Sequence, residues 1–509
     1  MTSKRTSWER IEELLPLERI SPRNRNVILS HPSTLIQNLI PMPRLSQMGI
    51  HPIASSLGPD EETDSKKLPW TEVKRHNSRE SCWVVVDGCV YDVTSWMDNH
   101  PGGAIVLLNS SGRDATDIFN AYHSRESISN KLKFFYVGAI SDYKVESTLE
   151  SFRRFAKSVE GSDLMNTSIR FYAFKVISYI LLLCLSIGLV YAYRDTFWIG
   201  TVCGGIAMAA FFQQVAFFGH DLGHTAVTHI RGVDLAIGLL FGNILSGVSL
   251  GWWKATHNTH HVLTNSVECD PDIQHLPFFA VTSRFLTSIY SKYHERFLRF
   301  NWLAQFLIPL QAKLYYVIMA FARCNLYIQS YLLLLQPDKE VRKRVKTHRY
   351  IEVVGLVLFA MWFGSLVSIL PDIWHRCIFV LISHCLAGVL HVQITLSHFS
   401  MPVYTGDTLS TDSFVEHQLN TSLDIDCPSW LDWFHGGLQF QTAHHLFPRV
   451  PRHNLRRLRT LIMQFCLENG LKYNISGFVD ANMRMLKHLQ SVSDECRNRA
   501  LRDIMSMRG

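Results

Sequence analysis

The stretch that decides the fold runs from residue 197 to residue 224 and reads FWIGTVCGGIAMAAFFQQVAFFGHDLGH. Residues 197–219 carry no charged side chain, and about 20 apolar residues cross the hydrocarbon core of a bilayer as one helix. The stretch ends with His220 and His224, which share one helix face because they are four positions apart. We therefore predict a membrane helix that ends in two imidazole groups, and imidazole is a common metal ligand.

Three further apolar runs are long enough to span a bilayer, and the four runs form two hairpins. In the first hairpin, a short polar turn separates Tyr172–Tyr193 from Phe197–Gly219. In the second, a proline and an aspartate separate Ile351–Leu370 from Ile373–Ser397. Four membrane-spanning helices are therefore expected.

Two weaker apolar stretches are expected to lie in the membrane interface and not across it. The stretch Asp234–Trp253 is rich in glycine, and Asn301–Leu335 contains Lys313 and Arg323. A lysine or arginine at the centre of a bilayer is costly, so the expected number of spans stays at four.

Lysine and arginine are frequent in the long segments 220–350 and 399–509, for example in Glu340–Arg349 and Arg449–Arg459. Positively charged loops tend to stay in the cytosol, so both long segments and both termini are expected there. No secretory signal peptide is expected, because residues 1–50 contain arginine and proline throughout.

The composition fits a chain that lies partly in lipid and partly in water. Of the 509 residues, 47% are hydrophobic and 18% are charged, below the roughly 25% charged residues of an average soluble protein. These values exclude a disordered or collagen-like chain.

The net charge of +7 is spread along the chain, which argues against nucleic-acid binding. The 11 cysteines are scattered without a C-x-x-C pair, which favours a reducing compartment.

Two further histidine strings repeat the pattern of the first. Residues 257–261 read HNTHH and residues 441–445 read QTAHH, so that positions i, i+3 and i+4 share a helix face in each string. All three strings adjoin predicted spans on the cytosolic side and can meet there. His398 ends the last span and can join them, whereas His384 and His391 lie deeper and are expected to pack or to form hydrogen bonds.

The strings offer more ligands than one metal ion of ordinary coordination number can use, so two metal ions are expected. Zinc, copper, iron and nickel all accept imidazole, and the histidines alone leave the metal open. The candidate ligands are His220, His224, His257, His260, His261, His398, Gln441, His444 and His445.

A smaller pattern lies nearer the N-terminus, where residues 100–103 read HPGG and residues 119–124 read FNAYHS. The glycine pair lets the chain turn closely beside a bulky ligand. His100 and His123 are far enough apart in sequence to come from two helices, and two such histidines could hold a planar macrocycle from both faces.

With its surroundings, from Trp70 to Ile140, this pattern resembles cytochrome b5. The other strings that carry the resemblance are CWVVV at 82–86, VYDVT at 90–94 and GRDAT at 112–116. The resemblance implies a b-type heme with His100 and His123 as axial ligands. A one-electron heme carrier beside a histidine-rich membrane site implies a redox-active metal, which disfavours zinc and favours iron.

The second half of the chain, about 169–470, is similar to the membrane fatty-acid desaturase superfamily, of which the three histidine strings are the hallmark. Gln441 replaces the first histidine of the third string, and this replacement together with the cytochrome b5 fusion resembles the front-end desaturases. Those enzymes insert a double bond toward the carboxyl or head-group end of a chain. The resemblance implies that the nine candidate ligands hold two non-heme iron ions and that O2 is a co-substrate. It also implies NADH-cytochrome b5 reductase as electron donor and a multi-pass location in the endoplasmic reticulum membrane.

Several strings look closest to the sphingolipid delta-8 desaturases, so a sphingolipid long-chain base is the expected substrate. They are Trp252–Lys254, Asp270–Phe279, Asp426–Pro428, Trp433–Phe440 and Pro448–His453. Acyl delta-5, delta-6 and delta-8 desaturases share much of this pattern, and a lipid hydroxylase of the same superfamily would use the same ligands, so both stay open. A membrane metal carrier would leave the heme domain without a purpose, and a heme-bearing membrane anchor would need one span and no histidine strings.

The expected fold is an α+β cytochrome b5-like heme domain followed by an all-α integral membrane desaturase domain. That second domain has four transmembrane helices and a cytosolic helical cap. The predicted divisions are an N-terminal extension of unassigned function at 1–65, the heme domain at 66–141, a linker at 142–168, the desaturase domain at 169–480 and a C-terminal tail at 481–509.

Overall fold

The computed structural model describes residues 66–123, 131–335, 349–406 and 413–506. Outside these residues lie the predicted extension 1–65, Ser124 of the second heme-domain string and residues 340–348 of the basic stretch.

The N-terminal unit is built on a four-stranded sheet. Its strands are β1 (Lys67–Leu68), β2 (Trp83–Val86), β3 (Cys89–Asp92) and β4 (Tyr136–Ile140), in the spatial order β1-β4-β3-β2. β2 and β3 form a hairpin through Asp87 and Gly88, whose φ angles are +51° and +77°, as two-residue hairpin turns require. Because side chains alternate between the two faces of a sheet, Val85 is buried on one face and Val84 on the other.

Three helices complete this unit, namely α1 (Trp70–Val73), α2 (Ala104–Ser110) and α3 (Thr116–Tyr122). His100 lies shortly before α2, and His123 directly follows α3. On α2, Val106 belongs to a buried apolar cluster with Val262 and Leu263 of the larger unit. The two heme-ligand candidates therefore flank the surface by which the units contact each other.

A packed helix, α4 (Ser147–Glu160), joins the two units. It lies within the segment 142–168, which the sequence indicates as a linker. Phe152 and Phe155 recur at helical spacing on one face, and both rings contact Phe447 of the larger unit. Because α4 buries this face, the connection is a packed element and not a free tether.

The larger unit is mostly helical. Its helices are α5 (Ile169–Ala192), α6 (Gly204–Gly223), α7 (Arg231–Gly238), α8 (Leu250–Val262), α9 (Trp302–Leu307), α10 (Gln311–Leu334), α11 (Arg349–Ser368), α12 (Ile373–Ala387), α13 (Val389–Thr395), α14 (Phe414–Thr421), α15 (Asp432–His435), α16 (Gln441–Leu446), α17 (Leu455–Glu468) and α18 (Phe478–Ser506). Two π-helical segments, Phe197–Cys203 and Leu239–Ile244, precede α6 and follow α7. The strands are the antiparallel pair β5 (Ile289–Ser291) and β6 (Arg296–Leu298) and the parallel pair β7 (Asp424–Asp426) and β8 (Ile475–Gly477).

Five helical segments of the described residues are long and apolar enough to cross a membrane. They are Asp163–Ala192, Phe197–Gly223, Trp302–Leu334, Arg349–Ser368 and Ile373–Thr395. Four of them overlap the predicted spans over most of their length. The fifth, Trp302–Leu334, is the stretch expected in the interface, so the number of four spans stays a prediction.

Arg323 shows how the fifth segment accommodates a buried charge. Its side chain is 1% exposed and donates hydrogen bonds to the Ser246 carbonyl at 2.8 Å and to the Tyr327 hydroxyl at 2.9 Å. Its guanidinium carbon lies 4.0 Å from the centre of the Phe212 ring. These contacts offset the cost of removing the charge from water.

The two predicted hairpins pack into one bundle, because α6 contacts both α5 and α12. Small residues permit the close approach of these helices. A Cβ atom at Gly205 would lie 3.0 Å from the Ile382 side chain. The buried rings of Phe212 and Phe379 belong to the core of this bundle.

The C-terminal helix α18 is part of the core. Ala481, Met485 and Leu489 are buried in the same apolar cluster as Tyr315 and Phe399. The predicted boundary between residues 480 and 481 therefore falls inside a packed helix. The sequence signal was weak there because charged residues cover the opposite face of α18.

Candidate metal centre

Eight predicted ligands converge in two groups, and within each group the ligand atoms lie within 4.8 Å of one another. The first group consists of His220, His224, His257, His261 and His444, and the second of His260, His398 and His445. The sequence strings thus meet at one place, and His398 joins them.

The two histidine doublets are divided between the groups. His260 and His261 are neighbours on α8, and His444 and His445 are neighbours on α16. Adjacent residues of an α-helix point about 100° apart, so one member of each doublet enters each group. The rings of His261 and His445 stack with centres 4.1 Å apart, and the two groups are therefore adjacent, as in two-metal sites.

The free nitrogens of the first group suit a bound cation. Buried Nε2 atoms of His220, His224 and His444 and the buried Nδ1 of His261 have no hydrogen-bond partner among the described residues. The Nε2 atoms of His257 and His261 lie 2.9 Å apart. Two nitrogens bound at right angles to one metal ion, each at about 2.1 Å, would lie about 3 Å apart.

In the second group, every histidine uses Nδ1 for a hydrogen bond. The partner of His260 is an Asp270 carboxylate oxygen at 2.9 Å, that of His445 is the Gln418 side-chain oxygen at 2.8 Å, and that of His398 is the Thr421 carbonyl at 3.2 Å. Such bonds fix the tautomer and the ring orientation, and they leave Nε2 available to a metal ion.

The electrostatics of the site keep most of these imidazoles neutral. Burial lowers the pKa of His257 and of His398 to about 3 each, and it lowers the pKa of His261 well below the ordinary value. Burial alone would also lower the pKa of His260, but the Asp270 and Asp272 carboxylates outweigh it and raise this pKa to about 9. Neutral imidazole is the form that binds metals.

Gln441, the remaining predicted ligand, lies between the groups. Its side chain lies near His398, and it lines a small cavity together with His220, His224 and His444. The two deeper histidines stand apart from both groups. His384 hydrogen-bonds to Tyr327 at 3.2 Å, and neither ring nitrogen of His391 has a partner among the described residues.

Two residues that hold the ligands, Asp270 and Gln418, are not predicted from the sequence to contact them. The sequence marks Asp270 only as the first residue of the string Asp270–Phe279, which carries the desaturase resemblance, and gives it no role at the metal centre. The side-chain amide of Gln418 also donates to the His261 carbonyl at 2.7 Å. Gln418 lies far from the histidine strings in sequence, and no spacing rule identifies it.

The N-terminal unit brings the rings of His100 and His123 together, with centres 6.1 Å apart and planes tilted by 49°. Two imidazoles on opposite sides of one metal ion, with bonds of about 2.0–2.1 Å, would have ring centres roughly 6 Å apart. Each Nδ1 lies near a backbone carbonyl, that of Gly103 at 3.3 Å and that of Phe119 at 3.0 Å, which leaves Nε2 for iron. Burial lowers the pKa of His123 to about 4.

The turn between them needs glycine. A Cβ atom at Gly102 would lie 2.8 Å from Cε1 of His100, and Gly103 has a φ of +91°. The ring spacing and the lowered pKa of His123 therefore agree with the prediction of an axial pair of heme ligands.

Comparison with known proteins gives two family matches. The family described as "Fatty acid desaturase" matches residues 196–477, and "Cytochrome b5-like Heme/Steroid binding domain" matches residues 69–141.

Three relatives illustrate the similarity. The Delta(8)-fatty-acid desaturase of Helianthus annuus is 39% identical over 440 residues, which are 86% of this chain and 93% of that protein. The Acyl-lipid (9-3)-desaturase of Borago officinalis is 36% identical over 442 residues, covering 85% and 95%. The Delta 8-(E)-sphingolipid desaturase of Komagataella phaffii is 46% identical over 291 residues, covering 57% and 53%.

Proposed function

Since this chain belongs to the fatty acid desaturase family and carries a fused cytochrome b5 domain, we propose that it desaturates sphingolipid long-chain bases at the delta-8 position. Both resemblances expected from the sequence are confirmed. The observation that carries the substrate proposal is a difference in identity. Two Delta 8-(E)-sphingolipid desaturases reach 46% identity over 291 and 301 residues, whereas two Delta(8)-fatty-acid desaturases reach 39% and 37% over the longer alignments of 440 and 439 residues.

The two histidine groups are proposed to hold two non-heme iron ions. The first ion would be held by His220, His224, His257, His261 and His444, and the second by His260, His398 and His445, with Gln441 completing the set. Bound iron supplies the O2 activation that removal of two hydrogens from an unactivated methylene pair requires. The support is the set of buried ring nitrogens that have no hydrogen-bond partner in the part of the chain that the structure describes.

The protein's own residues prepare this site. Asp270 and Gln418 orient His260 and His445 through their Nδ1 atoms. Burial keeps the imidazoles other than that of His260 neutral and excludes bulk water. An alkyl chain held between the helices would present one methylene pair to the metal centre at a distance set by its head group.

Electrons are proposed to arrive through a heme held by His100 and His123. Reduction of O2 to two waters takes four electrons. Two come from the lipid as the double bond forms, and two come singly through the heme domain. NADH-cytochrome b5 reductase is the proposed source of the latter two.

We propose a multi-pass location in the endoplasmic reticulum membrane, with both termini and the metal centre on the cytosolic side. The convergence of the ligands supports four spans and not five. His220 and His257 precede Trp302–Leu334 and His444 follows it, yet all three belong to one group. If the chain crosses the membrane twice between the second and third histidine strings, all three histidines lie on the same side of the membrane. A third crossing would place His444 on the opposite side from His220 and His257.

The test is expression in a host that makes long-chain bases without a delta-8 double bond, followed by mass spectrometry that locates new double bonds in long-chain bases and in acyl chains. A delta-8 double bond in the long-chain base supports the proposal. A new double bond confined to acyl chains favours the fatty-acid alternative, and a hydroxylated product without an alkene favours the hydroxylase. His261→Ala should abolish product and leave the heme spectrum intact, whereas His100→Ala should lose the heme spectrum and the product together.

A further inference from the structure

One aromatic ring lies between the heme-ligand pair and the metal centre. Tyr122 directly precedes His123 at the end of α3. Its ring meets the ring of His261 edge-on, with centres 6.2 Å apart and planes at 85°. The Tyr122 side chain, next in sequence to the proposed heme ligand His123, therefore contacts His261 of the first histidine group.

The contact between the units is held by packing on both sides of Tyr122. Val106 of α2 shares a buried apolar cluster with Val262 and Leu263, and Tyr122 packs against this cluster. From α4, Arg153 makes ion pairs with Asp117 at 3.0 Å and with Asp114 at 2.8 Å. The heme unit is thus fixed with one face toward α8.

The ring of Tyr122, and not its hydroxyl group, makes the connection. The hydroxyl oxygen is buried and has no hydrogen-bond partner among the described residues. A tyrosine that is itself oxidised must release its phenolic proton, and no described side chain accepts it. The ring can still couple the two sites electronically without changing its own charge.

We propose that the Tyr122 ring is the direct route by which electrons pass from the heme held by His100 and His123 to the metal centre at His261. In each passage the heme goes from ferrous to ferric, and the metal centre gains that one electron. No bond is formed or broken, and no proton leaves Tyr122. This inference rests on the proposed transfer of electrons from the heme to the metal centre.

The experiment uses the full-length protein with heme and iron bound. The heme is reduced without oxygen, the sample is mixed with O2 and a long-chain base lipid, and heme reoxidation is followed by its absorbance. The His261→Ala variant gives the background rate of direct oxidation by O2. If the unaltered protein reoxidises no faster than this variant, the proposed function fails. If it does reoxidise faster, the role of Tyr122 can be tested by itself.

Tyr122→Leu removes the ring and keeps an apolar side chain, so its heme should reoxidise severalfold more slowly at an unchanged heme potential. Tyr122→Phe keeps the ring and should restore fast reoxidation. Val106→Ala weakens the same interface but leaves the Tyr122 ring in place, and the heme of this variant should reoxidise at close to the unaltered rate. If Tyr122→Leu does not retain heme, Tyr122→Met takes its place.

Three results would overturn the proposal. Reoxidation of the ring-less variant at the unaltered rate would show that electrons take another route. A Tyr122→Phe variant as slow as the leucine variant would assign the effect to the hydroxyl group. A Val106→Ala variant that is equally slow would assign it to docking of the two units.

Discussion

Replacing Asp270 with asparagine would test whether the second histidine group is held by hydrogen bonds to Nδ1. The Asp270 side chain is 0% exposed. It accepts hydrogen bonds from Nδ1 of His260 at 2.9 Å, from the backbone N–H of Asn265 at 2.7 Å and from the backbone N–H of Asp272 at 2.8 Å. Asparagine has nearly the same size, but its NH2 group must face one of these donors. The variant therefore loses at least one bond and the charge that supports His260.

The expected magnitude follows from what such partners contribute to metal sites. Loss of the partner of a ligating histidine weakens metal binding by about 10- to 100-fold. This corresponds to about 1.4–2.7 kcal/mol, because a factor of ten is about 1.36 kcal/mol. Only the second group contains His260. One of two non-heme iron ions should therefore be lost at a lower chelator concentration, while the other ion and the heme stay bound.

The assay is a chelator titration of the purified protein. Elemental analysis gives the total iron per chain, and the heme iron, determined from the heme absorbance, is subtracted from it. Asp272→Asn is the matched control. That carboxylate lies 3.9 Å from Nδ1 of His260 and 3.9 Å from Nδ1 of His257, and its side chain is 31% exposed. The chelator concentration at which half of either iron ion is lost should therefore shift by less than about tenfold. An Asp270→Asn variant that retains iron as well as the unaltered protein would refute the reasoning, as would an equal loss in the control.

Two further predictions concern packing. Arg153→Ala leaves a buried carboxylate unpaired and should cost about 3 kcal/mol of unfolding free energy, whereas Arg154→Ala, in an exposed pair, should cost no more than about 0.5 kcal/mol. Denaturant unfolding followed by heme absorbance measures both, and equal losses would contradict the assignment. Gly388→Ala places a Cβ atom 2.6 Å from the Ala320 backbone and should destabilise the bundle by about 1–3 kcal/mol. Gly364→Ala meets no atom within 4 Å and should be neutral in thermal unfolding in detergent, so a larger loss in this control would argue against close packing at Gly388.

The ligand clusters were predictable because each depends on local spacing. Residues i, i+3 and i+4 share a helix face wherever the chain is helical. The sequence also predicted that the strings would meet, from the even number of spans between them. His398 was identified by its position at the end of an apolar run, and the structure brings it against His260, with ring centres 4.6 Å apart.

The parts that could not be predicted depend on partners that are distant in sequence. Arg323 indicates from the sequence that its helix lies at the interface, but the sequence does not show that Ser246, Tyr327 and Phe212 satisfy its charge. The helix α4 reads as a polar linker, because its buried phenylalanines are few and their partners lie about 300 positions away. Gln418 has no local signature, since its role depends on reaching both His261 and His445.

The doublets show how so few helices could hold the two proposed metal ions. α8 supplies His261 to the first group and His260 to the second, and α16 supplies His444 and His445 in the same way. The separation of the two groups is therefore set by the geometry of two helices and not by loops. Any shift of α8 or α16 moves ligands of both groups together, so the pair of ions should keep its spacing when the surrounding loops move. For the same reason, the two members of a doublet are not equivalent, and each should control the occupancy of a different iron site.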